Sequence, residues 1–300
     1  MSIQIDAPAE SEAAARRATE AAYKEVDRLV AILSEWQPDS EVSRVNAAAG
    51  GAPVPVGPET FAVVQKAIEI GALTGGAFDI TFLPLGRVWD LKRRPPLLPS
   101  PAAIAEAREL VDYRRIVLDA EQHTVQLPRL GMGIGLGGIA QGFIADRVAD
   151  CLRERGFSNF LVDVSGDLRV DGLVDGRPWR IGIQHPRIHG QMIAWLPVSN
   201  LSVETSGDYE RYFEVDGRRY HHIMDPATGW PAAGCQSVTV VSRDTGIADA
   251  LATGLFVMGP ERGLELAERL PEVEALIIDA AGKMHTTSGF AMEPAGNPAD

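Results

Sequence analysis

Aromatic side chains make up only 6% of this 300-residue chain, and cysteine occurs twice, at Cys151 and Cys235. Two cysteines so far apart match no metal-ligand or redox spacing, so neither a zinc module nor a disulfide scaffold is indicated, and both are expected as buried thiols. Basic residues are also scarce, 28 Lys and Arg against 41 Asp and Glu, for a net charge of -13. Without a basic stripe to offset phosphate repulsion, a nucleic-acid partner is excluded. An anionic substrate would need a local remedy, either a metal ion or a helix N-terminus. No apolar run reaches the roughly 18–20 residues of a membrane span. A signal peptide is missing as well, since Met1–Asp6 leads straight into a polar, alanine-rich segment. As written the chain reads as cytoplasmic, and a trimmed exported protein would look the same.

What is present is ordinary for a globular protein, 45% hydrophobic and 23% charged, and the length suits one large domain or two modest ones. Apolar spacing predicts a helix from about Ala9 to Ser34 through Ala18, Ala22, Val26, Leu29 and Leu33. A second helix starts at Pro58, with Phe61, Val64 and Ile68 inward, and stops at Gly75-Gly76. Ser100-Pro101 opens a short third. Ile116–Leu118 and Thr124–Leu127 read as a hairpin. A glycine-rich loop precedes a helix from Ile139 to Arg155, closed by Gly156. Strands are read at Phe160–Val162, Trp179–Ile183, Tyr209–Val215 and Ser237–Ser242, with helices at Thr245–Met258 and Glu261–Leu270 and a last strand at Glu274–Ile278. The order is not strict βαβ alternation. It predicts an α+β fold of mixed and antiparallel sheets with packed helices. One domain over residues 1–300 is expected, and the basic, proline-rich stretch 92–101 is the only strong candidate junction between two lobes.

Three motifs can carry chemistry. In Gly131-Met-Gly-Ile-Gly-Leu-Gly-Gly-Ile-Ala-Gln-Gly142, glycines allow close approach of a ligand, and the next helix offers free N–H groups to an anion. Gly133, Gly135 and Gly138 also satisfy G-x-G-x-x-G, with Asp163 downstream, a dinucleotide fingerprint on paper. A tight structural turn explains the glycines equally well. In His221-His222-Ile-Met-Asp225-Pro-Ala-Thr228-Gly229, adjacent histidines end a strand and polar groups crowd the loop. Surface histidines are the plainer reading. Third, Asp249 and Thr253 stand four apart on an otherwise apolar helix and so share a face. A carboxylate there needs a partner, and a hard cation such as Mg²⁺ or Ca²⁺ would satisfy both oxygens. Alternatively, Asp249 favours the helix dipole and Thr253 bonds back to its own helix. Two weaker segments are a polar loop around Trp36, ending in Ser40–Asn46 or else in a capping box at Ser40, and Gly75–Thr81, which places Asp79 beside Phe78.

Taken in order, Ser40–Asn46, Gly76-Ala-Phe-Asp-Ile-Thr81, Gly137-Gly-Ile-Ala-Gln-Gly142, Thr205-Ser-Gly-Asp-Tyr-Glu-Arg211, His222-Ile-Met-Asp-Pro-Ala-Thr-Gly229 and Ala248-Asp-Ala-Leu-Ala-Thr253 resemble the ApbE family of FAD:protein FMN transferases, from about Ile3 to Lys283. The resemblance implies that FAD is split at its pyrophosphate, that FMN is esterified to a threonine or serine of an acceptor protein, an electron-transfer protein, and that AMP leaves. It implies Mg²⁺ held by Asp249, Thr253 and the Gly138 carbonyl. It also implies contacts to FAD from Trp36, Ala77, Phe78, Asp79, Gly135, Gln141, Ser206, His222 and Ile223, with His222 and Asp249 catalytic. Relatives usually work in the periplasm, which makes a shortened N-terminus the expected reason for the absent export signal. The chain departs from the family pattern at Gly135, where an acid is usual, and at Gln141, where lysine is usual. Competing readings are a metal-dependent FAD pyrophosphatase, a non-catalytic FAD-binding protein and, on the glycine spacing alone, a nicotinamide dehydrogenase.

Overall fold

The computed structural model describes residues 1–295. A short strand, β1 (Ser2–Ile5), precedes α1 (Glu12–Leu33), which buries Ala18, Ala22, Leu29 and Leu33 on one stripe. The segment after Trp36 is a helix rather than a loop. Ser40 Oγ accepts the Ser43 N–H at 2.9 Å and caps α2 (Glu41–Ala47), whose Val42 and Val45 are buried. β2 (Val54–Pro55) leads to α3 (Pro58–Leu73). Phe61 and Val64 point inward as expected, but Ile68 is only half-buried, and Val63, Ala67 and Ile70 complete the packed face. α4 (Leu83–Trp89) and α5 (Pro101–Arg108) follow, the latter capped by Ser100 Oγ. β3 (Val117–Asp119) and β4 (Thr124–Gln126) form the expected hairpin, and α6 (Ala140–Arg153) comes after the glycine-rich loop.

The strand-rich region contains β5 (Phe160–Val164), β6 (Asp167–Asp171), β7 (Trp179–Gln184), β8 (Met192–Val198), β9 (Leu201–Gly207), β10 (Tyr212–Val215), β11 (Arg218–His221) and β12 (Cys235–Ser242). The strand expected from Tyr209 begins only at Tyr212, because residues 208–211 turn the chain out of β9. α7 (Thr245–Met258) and α8 (Pro260–Arg269) precede β13 (Glu274–Asp279). That strand is not the last, since β14 (Met284–Thr286) and β15 (Glu293–Pro294) follow.

Seven strands form the main sheet in the order β1-β5-β6-β9-β12-β13-β14, and every neighbouring pair is antiparallel. That pairing removes the dinucleotide reading, which requires a parallel strand entering the glycine turn. Alternation gives the sheet two faces. Phe160, Val162, Val238, Val240, Ala275 and Ile277 join the helices in the largest core, while Leu161, Val170, Val203 and Leu276 pack against a smaller sheet of order β15-β8-β7. A third cluster, built on Leu85, Trp89, Ile104, Phe213 and Tyr220, ties α4 and α5 to the β10–β11 hairpin. Each fully buried Leu, Ile or Phe contributes roughly 1.5–3 kcal/mol. Cys235 is buried and Cys151 only partly so, and both thiols are free. Among the described residues no helix is long and apolar enough to cross a membrane.

The helices meet most closely at Gly142. A Cβ there would stand 2.3 Å from the Thr245 carbonyl oxygen and 2.8 Å from the Gly246 nitrogen, both backbone atoms that cannot swing aside. Gly142→Ala should therefore destabilise the protein by about 2 kcal/mol or more, lowering the calorimetric melting temperature by several degrees. An unchanged transition would show that the α6–α7 crossing adapts.

Candidate functional site

The site begins with a commensurate match between a strand and a helix. Alternate residues of β9 rise by about 6.8 Å, and a step of four residues on α7 rises by about 6 Å. Ser202, Glu204 and Ser206 on β9 thus run level with Thr245, Asp249 and Thr253 on α7. The two ends of the row are closed by hydrogen bonds, Ser202 Oγ to Thr245 Oγ1 at 2.6 Å and Ser206 Oγ to Thr253 Oγ1 at 3.1 Å. Thr253 therefore bonds across to the sheet instead of back to its own helix. Asp146 of α6 holds the start of α7 by accepting the Thr245 N–H at 2.9 Å and its hydroxyl at 2.6 Å.

The middle of the row is acidic. Glu204 is 1% exposed, and neither of its oxygens, nor Asp167 Oδ2, meets a donor when these groups are ionised. Burial drives the carboxyls of Glu204 and Asp249 well above their ordinary range, and the charge of Asp167 adds to the rise. Burial also raises Asp167 to about 6, although hydrogen bonds from Glu204 and Asp249 oppose the rise. The three acids satisfy one another only by sharing protons. The N-terminus of α6, where Ile139 offers no side-chain cap, faces Asp249, with the Gly142 N–H at 3.5 Å from its Oδ2.

The glycine-rich loop borders this row. Met132, Ile134, Leu136 and Ile139 are fully buried, and the glycines between them let Leu110, Leu83 and Phe82 approach from outside. Asn46 clamps the loop by bonding both the N–H and the C=O of Ile134, at 2.7 and 2.9 Å. Gly138 abuts the metal-ligand candidates, because a Cβ on it would lie 3.4 Å from Thr253 Oγ1 and 3.3 Å from the Phe78 ring. At Gly135 a Cβ would meet Phe82 at 3.0 Å and Glu35 Oε1 at 3.3 Å. The carboxylate of Glu35 thus occupies the space into which a side chain at 135 would point. Burial raises the Glu35 carboxyl, and the charge of Arg211 opposes the rise.

The structure brings Gly138, Asp249, Thr253 and Ser206 together. Phe78 is wedged between Gly138 and Gly254 and belongs to the core, so its ring has no free face for stacking. Both oxygens of Asp79 are engaged internally, by Thr81 and by the Tyr113 N–H, while Ala77 is half-buried beside it. Gln141 is half-buried in the first turn of α6, and Ile223 is buried, with its N–H donated to His221 Nδ1 and its carbonyl accepting the Ala232 N–H. Trp36 is 70% exposed, with the Lys92 ammonium 4.4 Å from its ring centre. His221 is structural, its Nε2 2.9 Å from the Ala232 carbonyl oxygen and its ring edge-on to Phe256. His222 is the reactive candidate. Its Nδ1 is buried without a partner, and burial, reinforced by Arg211, pushes it down to about 3. Asp225 accepts the Ala227 N–H and the Thr228 hydroxyl, and Thr228 Oγ1 in turn accepts the Trp230 N–H, as turn chemistry.

Sequence reading passed over Glu204, Asp167 and Glu35. Only Glu204 left a signal, an acid between Ser202 and Ser206 on the inward side of a strand. Among the described residues no three His, Cys, Asp or Glu side chains are set to chelate a metal by themselves. The oxygens available are the Asp249 carboxyl, a hydroxyl and a backbone carbonyl, and such an all-oxygen set suits a hard cation.

Comparison with known proteins bears on the family and the fold. The family model described as the ApbE family matches residues 1–277. The FAD:protein FMN transferase of Vibrio cholerae is 36% identical over 277 residues, covering 89% of this chain and 82% of that protein. That of Treponema pallidum is 37% identical over 275 residues, covering 86% and 76%. Among solved structures, the ApbE protein of Thermotoga maritima superposes with a TM-score of 0.84 at 34% identity, covering 91% of this chain and 89% of that one. The Pseudomonas stutzeri flavinyl transferase ApbE gives 0.83 at 32%, covering 95% and 90%.

Two opposing pH trends follow from the site. Glu204, with its folded pKa raised, contributes stability below its unfolded value and loses it as pH rises; His222, with its folded pKa depressed to about 3, contributes above 6.5 and loses it as pH falls. Glu204→Gln should raise the melting temperature of the metal-free protein at pH 8 and change little near pH 4. His222→Asn should flatten the decline between pH 6.5 and 4. Parallel melting curves across this range would refute both assignments.

Proposed function

The chain belongs to the ApbE family, and we propose that it transfers the FMN half of FAD to a threonine or serine hydroxyl of an acceptor protein, releasing AMP, with Mg²⁺ held by Asp249, Thr253 and the Gly138 carbonyl. The observation that carries this reading is the meeting of Asp249, Thr253 and Gly138 at the N-terminus of α6, beside the buried carboxyl of Glu204. When bound there, Mg²⁺ supplies charge neutralisation for the two phosphates.

The remaining work falls to the chain itself. Attack by the acceptor hydroxyl on the flavin-side phosphorus forms a new P–O bond. The bridging P–O bond breaks, and AMP leaves with its electron pair. The α6 N-terminus offers backbone N–H groups to the phosphate oxygens, compensating for the uncharged Gln141. His222 is held neutral, so one ring nitrogen is free to accept the hydroxyl proton, and an adjoining pyrophosphate would raise its basicity. Trp36 presents an exposed ring at the rim for the flavin to stack on. The acceptor proposed is an electron-transfer protein.

Incubation with FAD, Mg²⁺ and an acceptor protein should give equimolar AMP and flavin-labelled acceptor, detected by chromatography and in-gel fluorescence. Chelator or Asp249→Ala should abolish both while leaving the melting transition in place. His222→Asn should slow transfer by about 10²–10⁴. Trp36→Ala should weaken FAD binding by about 1 kcal/mol. AMP and free FMN with no acceptor labelling would assign hydrolysis instead, and tight FAD binding without cleavage would assign a carrier.

A further inference from the structure

A flavin pyrophosphate carries two negative charges, and besides the proposed Mg²⁺ the chain itself has so far contributed only a helix terminus to offset them. The chain carries -13 overall, and two further acids, Glu204 and Asp167, lie beside Asp249. Most arginines nearby are committed elsewhere. Arg187 and Arg219 are paired with Asp208, at 2.6 and 3.2 Å. Arg211 differs, because it is exposed and has no carboxylate within salt-bridge distance among the described residues.

Its position follows from the β10–β11 hairpin. The register pairs Tyr212 with His221, and one step further the His222 N–H donates to the Arg211 carbonyl at 3.0 Å. Residues directly opposite in an antiparallel ladder point to the same face. His221 is on the other face, turned inward against Phe256. Arg211 and His222 therefore flank each other on one face, five residues beyond Ser206, whose hydroxyl is 3.1 Å from Thr253. The guanidinium charge is felt on both walls, at His222 and at Glu35 over the glycine loop.

Resting on the flavin-transfer reading, we propose that Arg211 is a catalytic residue that grips the FAD pyrophosphate from the open side of the cleft, opposite the metal ligands. The guanidinium fork donates two N–H groups to non-bridging phosphate oxygens, a match that lysine cannot reproduce. As the acceptor oxygen bonds to the flavin-side phosphorus and the bridging oxygen departs with AMP, negative charge grows on those oxygens. A donor already in place stabilises it. The same cation keeps His222 from protonating before the hydroxyl proton arrives.

The test compares wild type, Arg211→Gln and Arg211→Lys, each checked by thermal melting, for binding of FAD, ADP and riboflavin and for transfer kinetics. Arg211→Gln should bind FAD and ADP at least tenfold more weakly, bind riboflavin within twofold of wild type, and lose about 10²–10³ in kcat. Arg211→Lys should recover phosphate binding better than kcat, because it restores charge without the fork. The inference is overturned if wild type transfers flavin and Arg211→Gln keeps kcat/KM within twofold. It is equally overturned if riboflavin binding falls as far as FAD binding, which would place Arg211 on the ring. A wild type that neither binds FAD nor labels an acceptor removes the parent reading and this one with it.

Discussion

Asp249 stands in the middle of an apolar helix with a second acid, Glu204, on the strand beneath it and a third, Asp167, alongside. Burying one carboxylate without a partner is costly, and three together are worse. The fold tolerates them because hydroxyl pairs above and below pin α7 to β9 in a fixed register and because shared protons satisfy the acids. The price is a site that favours protonation over charge until something positive arrives. That tension is a physical account of why a divalent cation would bind here, and it makes cation binding and proton release parts of one event.

The rest of the site is arranged around that helix. Gly142 lets α6 approach α7 so closely that its N-terminal N–H groups face Asp249. Asp146 ties the start of α7 to the same helix. Gly138 and Gly254 admit Phe78, which holds the loop against Thr253. These glycines and short polar side chains serve a backbone that must come near both a neighbouring helix and an anionic ligand. Packing and chemistry therefore constrain the same few positions.

Two segments of opposite character carry the groups that remain. One is the glycine-rich loop with Glu35 laid over it, and the other is the hairpin that carries Arg211 and His222. The departure from the family pattern at Gly135 acquires a local reason here. Phe82 and the carboxylate of Glu35 fill the volume a side chain would need, so an acid is present at that place although it comes from the end of α1. Nothing in the environment of Gln141 explains the loss of lysine there.

Local information in the sequence settled the helices, most of the strands and the pairing of Asp249 with Thr253, because these follow from short-range periodicity and capping chemistry that a chain carries wherever it folds. Thus α7 spans the predicted Thr245–Met258, Ser100 caps α5, and Gly75-Gly76 ends α3. The ordered motifs likewise identified the family. Tertiary structure alone decided what each polar group faces. It turned Phe78 and Asp79 inward and gave His221 a structural bond while leaving Nδ1 of His222 open. It also set Glu204 beneath Asp249 and brought Glu35 to Gly135 across 100 residues of chain. Contacts of that kind depend on strand order and on which face a residue takes, and neither is encoded within any window short enough to read by spacing.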